Sequence, residues 1–244
     1  ALLLDGGDTW QGSWTSLKTN AQDMVDIQTA LGVDAMTAHW EFTYGDARVK
    51  EIADKAPFAF LAQNVRDKEF GDEVFKARKD FEKGGVKIAV IGQAFPRTPI
   101  SNPAWMIEKW EFGLREDDLQ KQVDEARAGG AQVVVLLSHN GYDVDHKMAG
   151  RVKGIDVILA AHTHDAIPTT QRVGETLIVA AGSHGKFLAR LDLDVAAGKV
   201  TGHRFRLIPV FSDAIAPDPA MKALVEKIRA PFAKDLAREL ARTE

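Results

Sequence analysis

The chain has 244 residues, a net charge of −4, 45% apolar and 27% charged residues, proportions ordinary for a folded globular protein. The length is ample for a buried core, and the small negative charge gives no footing for a nucleic-acid partner. With no cysteine, a disulfide scaffold, a thiol nucleophile and thiolate metal ligands are excluded, and no apolar run is long enough to span a membrane.

The chain opens directly on the apolar run ALLLDGGD and closes within a charged helical pattern. Both ends read as cuts through a longer protein. Short apolar runs then alternate with helical periodicity. Residues 2–4 predict a strand, 16–31 a helix, 34–38 a strand, 46–55 a helix, and 58–62 and 87–92 two strands. FPRTPISN at 95–102 predicts a loop. Residues 117–128 form the next predicted helix, followed by strands at 132–138, 156–161 and 176–181. Two further strands, 187–193 and 199–210, flank Ala-Ala-Gly and predict an antiparallel pair. A last helix over 219–241 has Asp218 as N-cap, Pro219 at its first position and a kink at Pro231. The alternation predicts an α/β fold, and the closing antiparallel pair predicts mixed sheets.

Five ligand-type residues fall just after predicted strands. Asp8 lies in GGDTWQGS, His39 in TAHWEFTYG, His139 in LLSHNGYDVD, and His162 and His164 in AAHTHD. Strand carboxyl ends are where open α/β sheets gather their sites, and in His-Thr-His alternate side chains point the same way. Carboxylate with imidazole suits manganese, iron or zinc, and two such ions together can activate water. Taken singly, an Asp after a strand is a turn or a cap, and a His is a hydrogen-bonded residue; the shared placement is what points to metal. His146, His184 and His203 do not share it so clearly and are read as structural by default, although His184, in GSHG, could approach the site.

The motifs GDTWQGS, AHWE, SHNG and AHTH stand in the order of GD-xxx-GS, GNHE, SHxG and GHTH. They resemble the calcineurin-like metallophosphoesterases, and within them the 5′-nucleotidase branch. The segments at 60–65 (FLAQNV) and 181–195 (AGSHGKFLARLDLDV) resemble the same branch. That resemblance implies a four-layer α/β/β/α sandwich with two mixed sheets. It implies two divalent metal ions, manganese being favoured. Asp8 would bridge them, His39, His139 and His162 would bind one, and His164 the other. An earlier Asp-x-His motif on a first strand would complete the set and would lie before Ala1. On this basis residues 1–217 form the catalytic domain, and 218–244 form a helix leading toward a C-terminal domain.

The branch carries a His–Asp pair within GNHEFD; here those positions are Trp40 and Thr43. An indole is only a hydrogen-bond donor, so an alkoxide leaving group goes without its proton. A persulfide leaves without that help. AHWEFTYG in place of GNHEFDYG resembles the SoxB thiosulfohydrolase family. That family implies hydrolysis of a cysteine S-thiosulfonate on the carrier protein SoxYZ, in the periplasm, with release of sulfate. Trp40 is the expected peptide contact or simply fills the space of the lost His. Glu41 is expected to orient a ligand, and Asn140 to touch substrate oxygens or shape the turn before Gly141. The alternatives are a 5′-nucleotidase-like phosphoesterase and a non-catalytic metal- or carrier-binding module.

Overall fold

Alternation along the central strands sorts the apolar residues into layers. Between positions 133 and 138, Val133, Val135 and Leu137 join one cluster while Val134 and Leu136 join another on the opposite face. The computed structural model describes residues 1–242. Thr243 and Glu244, the end of the expected C-terminal segment, lie outside the described residues.

In chain order the strands are β1 (Leu4–Asp5), β2 (Ala35–Met36), β3 (Ala59–Phe60), β4 (Val65–Asp67), β5 (Arg78–Lys83), β6 (Val86–Gln93), β7 (Trp110–Phe112), β8 (Val133–Ser138), β9 (Val157–Ala160), β10 (Gln171–Val173), β11 (Thr176–Ala180), β12 (Phe187–Ala196) and β13 (Lys199–Pro209). The helices are α1 (Trp14–Thr19), α2 (Gln22–Leu31), α3 (Asp46–Lys55), α4 (Thr98–Ser101), α5 (Glu116–Ala128), α6 (Tyr142–Arg151), α7 (Pro219–Arg229) and α8 (Ala233–Leu236).

A six-stranded sheet runs β10-β11-β9-β8-β6-β5. Its inner pairs are parallel and its two outer pairs, β10 with β11 and β5 with β6, are antiparallel. A three-stranded sheet, β1-β2-β3, is wholly parallel. The antiparallel pairs β4–β7 and β12–β13 stand apart from both. Three apolar clusters separate four layers. Between the sheets lie Ala35 and Leu61 from one side and Val90, Val135, Leu137 and Val157 from the other, with Leu191 and Leu193 of the hairpin against them. Outside the small sheet, Met36 and Phe60 meet Val25 of α2 and Val49 of α3. Outside the large sheet, Leu136 and Ile158 meet Leu119 of α5 and Met148 of α6. This is the expected α/β/β/α order. Antiparallel pairing lies at the edges of the large sheet and in the two separate pairs; the small sheet itself has none.

The sheets come into close backbone contact at Gly92. A Cβ there would collide with the Leu61 backbone, and the Gly92 carbonyl accepts from the Gln63 N–H at 2.8 Å.

The predicted helix over 16–31 is two helices. Asn20 and Ala21 take left-handed backbone (φ 53° and 66°), and the Asn20 N–H closes α1 on the Ser16 carbonyl. The last predicted helix is interrupted at Pro231 as expected: α7 ends at Arg229, a 3₁₀ turn spans Ala230–Phe232, and α8 follows. Asp218 caps α7 by accepting from the Met221 N–H at 2.9 Å. The predicted loop 95–102 contains the single helical turn α4, and α6, β4, β5, β7 and β10 were not anticipated.

Candidate metal centre

Each predicted ligand does emerge where a strand ends. Asp8 follows β1, His39 follows β2, His139 follows β8, and His162 and His164 follow β9. The loop at Asp8 is held from below by Asp5, whose carboxylate accepts from the Gly7 N–H (2.9 Å), the Thr9 hydroxyl (2.8 Å) and Gln28 Nε2 (2.7 Å). It is held from the side by Glu41. That buried carboxylate accepts from the backbone N–H groups of Asp8 (3.1 Å), Thr9 (2.7 Å), Trp10 (3.3 Å) and His39 (2.8 Å). The Trp40 N–H in return donates to Asp8 Oδ1 at 2.8 Å. Two loops some thirty residues apart are thereby laced into one unit, with Glu41 acting on the backbone that carries Asp8 and His39.

Ligand-type atoms of Asp8, His39, His139 and His162 all lie within 4.8 Å of one another. His139 Nδ1 faces the Gly6 carbonyl at 2.5 Å. A carbonyl only accepts, so that nitrogen carries a proton and Nε2 is left facing Asp8 Oδ2 at 3.0 Å. His39 Nδ1 lies 3.4 Å from Asp8 Oδ1, too long for a good hydrogen bond. Both His39 ring nitrogens are buried without a partner. Phe95 packs against the cluster, with ring centroids 4.2 Å from His39 and 4.1 Å, stacked, from His162.

Burial works to raise the Asp8 carboxyl. The His139 and His39 rings and the Trp40 N–H outweigh it and hold Asp8 well below the usual carboxylate range. Burial works to lower His139, and the Asp8 hydrogen bond and charge outweigh it, so that imidazole is raised. His162 is lowered to about 4 by burial and by the neighbouring His139 and His39. Glu41 is raised by burial and by the charge of Asp8. One anionic oxygen pair, one neutral imidazole and a ring with two orphaned nitrogens suit a divalent cation, whose ligands must be deprotonated. The residues present therefore fit such an ion.

His164 does not join the four. Its exposed ring pairs instead with His184, centroids 5.3 Å apart. Trp40 is half-buried beside His39, ring centroids 4.8 Å apart, and its carbonyl accepts from the Thr43 hydroxyl at 2.7 Å. Asn140 is buried with its amide committed: Nδ2 donates to Asp145 Oδ1 at 2.9 Å, and Oδ1 accepts from Gln93 Nε2 at 3.1 Å. Its described role is to brace the turn that carries His139. Sequence reasoning missed Phe95, Gln93 and Asp145. Phe95 shares the strand-end placement that flagged the others, after β6, but an aromatic ring offers no ligand atom to search for.

No family model matches the chain. The solved structure of the sulfate thiohydrolase SoxB of Thermus thermophilus is 42% identical, with a TM-score of 0.93 over 96% of this chain and 43% of that one. The structure of a 5′-nucleotidase precursor from the same species is 25% identical, with a TM-score of 0.88 over 98% of this chain and 51% of that one. The chain belongs to the metallophosphoesterase/5′-nucleotidase superfamily. Among curated proteins, the snake venom 5′-nucleotidase of Naja atra is 26% identical over 268 residues, 99% of this chain. The chain spans about half the length of the curated superfamily members it matches most fully. Both solved superfamily structures follow nearly the whole of this chain.

Proposed function

We infer that this chain is the core of a divalent-metal-dependent hydrolase acting as a thiosulfohydrolase. Its substrate is a cysteine S-thiosulfonate on the SoxYZ carrier, met in the periplasm. The observation that carries this reading is the Trp40–Thr43 pair. The Thr43 hydroxyl is spent on the Trp40 carbonyl, and the indole offers no acid, so the site lacks a proton donor at the position where the nucleotidase motif has one. The SoxB likeness at 42% identity supports the same reading.

Asp8, His39, His139 and His162 would hold one ion, and His164 would serve a second, manganese being the favoured metal. Such ions supply an activated water and positive charge against the oxyanion being transferred. The chain's own groups do the rest. Glu41 fixes the two ligand loops, Phe95 excludes water from the face of His39 and His162, and the flat half-exposed face of Trp40 receives the carrier peptide. In the net reaction a water oxygen bonds to the sulfonate sulfur and the sulfur–sulfur bond breaks. The electron pair leaves on the carrier persulfide, which needs no general acid.

A phosphoesterase of the 5′-nucleotidase kind is the second reading, favoured by the curated relatives, which carry that name. The manganese-loaded protein, given a cysteine S-thiosulfonate carrier peptide and, separately, a nucleoside monophosphate, decides between them. Release of sulfate without phosphate is expected. Phosphate without sulfate overturns the thiosulfohydrolase reading, and neither product returns the chain to a binding module.

A further inference from the structure

Eight non-glycine residues among those described have positive φ: Asp8, Asn20, Ala21, Arg115, His162, His164, His184 and Ala197. Four of them have local explanations. Asn20 and Ala21 separate α1 from α2, Arg115 precedes α5, and Ala197 sits in the turn between β12 and β13. Asp8 and His162 belong to the cluster of four, and His164 follows β9 beside it. His184 is the remaining one, with φ 56°.

Left-handed backbone is unfavourable for a residue with a Cβ and persists where the surroundings enforce it, often at functional sites. The fold gives His184 no packing reason to be there. Its ring is exposed, and its described neighbour is the ring of His164, at 5.3 Å and 66°. The loop that carries it follows β11, the next strand of the large sheet after β9, to which β11 is parallel. Gly182 and Gly185 on either side also have positive φ (76° and 64°), so the backbone turns repeatedly to present this one side chain at the open edge of the metal centre.

The geometry points to His184 as a substrate-contacting residue whose ring N–H donates a hydrogen bond to a tetrahedral oxyanion, phosphoryl or sulfonyl, lying on the His164 side of the site. The assignment rests on the hydrolase reading above and deepens it. A neutral imidazole always keeps one N–H, so the contact needs no protonation. It places a neutral donor beside the four residues that would hold the ion.

Three variants test it in the manganese-loaded protein. His184→Gly keeps the backbone conformation and removes the ring. His184→Asp tolerates the same backbone and replaces the donor with an acceptor. His184→Asn tolerates it and restores an N–H. Inorganic sulfate and inorganic phosphate are the probes, read both as inhibitors of turnover and as ligands by calorimetric titration. Losing one hydrogen bond to an anion weakens binding about tenfold or more. The expected result is that loss in His184→Gly and His184→Asp, with KM rising more than kcat falls. His184→Asn recovers most of it, while manganese content and melting temperature stay at wild-type values. The anion more strongly affected shows which oxyanion the contact serves. Anion affinity and KM within twofold of wild type in both loss variants overturn the assignment, as does loss of bound manganese in step with affinity, which would make His184 a ligand support. If wild-type protein turns over neither substrate, the hydrolase reading fails, and the calorimetric arm still decides His184. Should His184→Gly fail to fold, His184→Asp carries the loss arm.

Discussion

The two sides of the metal centre are built differently. On one side Asp8, His39 and His139 are held by other parts of the chain: Glu41 gathers four backbone N–H groups, Trp40 donates to Asp8, and the Gly6 carbonyl fixes the His139 ring. On the other side His164 and His184 are exposed and meet each other. No side-chain hydrogen bond holds either ring among the described residues. The braced side has its geometry before any ion or substrate arrives, which is what a ligand set requires. The open side has no such bracing.

The difference is broken most directly at Asp8. Asp8→Asn removes the only carboxylate among the four, and manganese affinity is expected to fall at least ~100-fold, beyond what loss of a supporting group costs. Calorimetric titration with manganese checks it. Equal loss in Asp8→Asn and in a His184 variant would erase the distinction between the sides. The second test restores the missing pair on the braced side. Trp40→His with Thr43→Asp is expected to raise phosphomonoester hydrolysis about 100-fold, the low end of what a positioned acid contributes. Unchanged phosphate release with manganese still bound would show that the pair is not what separates the two chemistries.

A smaller effect is expected at Glu41. Glu41→Gln turns an amide N–H₂ toward backbone donors that need an acceptor and should cost ~2–3 kcal/mol of folding stability. Urea unfolding measures it; a cost under ~0.5 kcal/mol would mean that the lacing of the two loops is dispensable. The smallest effect is a slope. Burial raises the Asp145 carboxyl from 3.8 to about 7. Between those values the folded chain keeps a proton that the unfolded chain has released. This contribution is therefore fully present below about pH 4 and is lost as pH rises through about 7, at up to ~1.4 kcal/mol per pH unit. Asp145→Asn should flatten that slope in metal-free protein unfolded in urea at pH 5, 6 and 7. A slope identical to wild type would place the proton elsewhere.

Much of this was legible in the chain because strands ending in Asp or His announce themselves twice, by their apolar run and by the polar residue that stops it. The four residues that the fold brings together, Asp8, His39, His139 and His162, were picked out this way. The break between α1 and α2 was harder to see, since the apolar periodicity continues across it and only left-handed Asn20 and Ala21 interrupt the backbone. Helix α6 was missed because its buried face consists of only Asp145, Met148 and Ala149, too few apolar positions to give a period. Strand β5, Arg78-Lys79-Asp80-Phe81-Glu82-Lys83, is charged because it is an edge strand. Phe95 and Asp145 shape the site without offering a metal a ligand atom in the described geometry, so a search for ligands passes them by.

The contact between His139 and Asp8 joins positions 131 residues apart. A refolding chain closes a loop that long late, after the sheets that bring the two together. Before then an ion meets only the local His162–Thr163–His164 segment. Manganese present during refolding should therefore leave the folding rate unchanged and bind in a separate, later phase, so that metal uptake becomes a clock for completion of the whole sandwich.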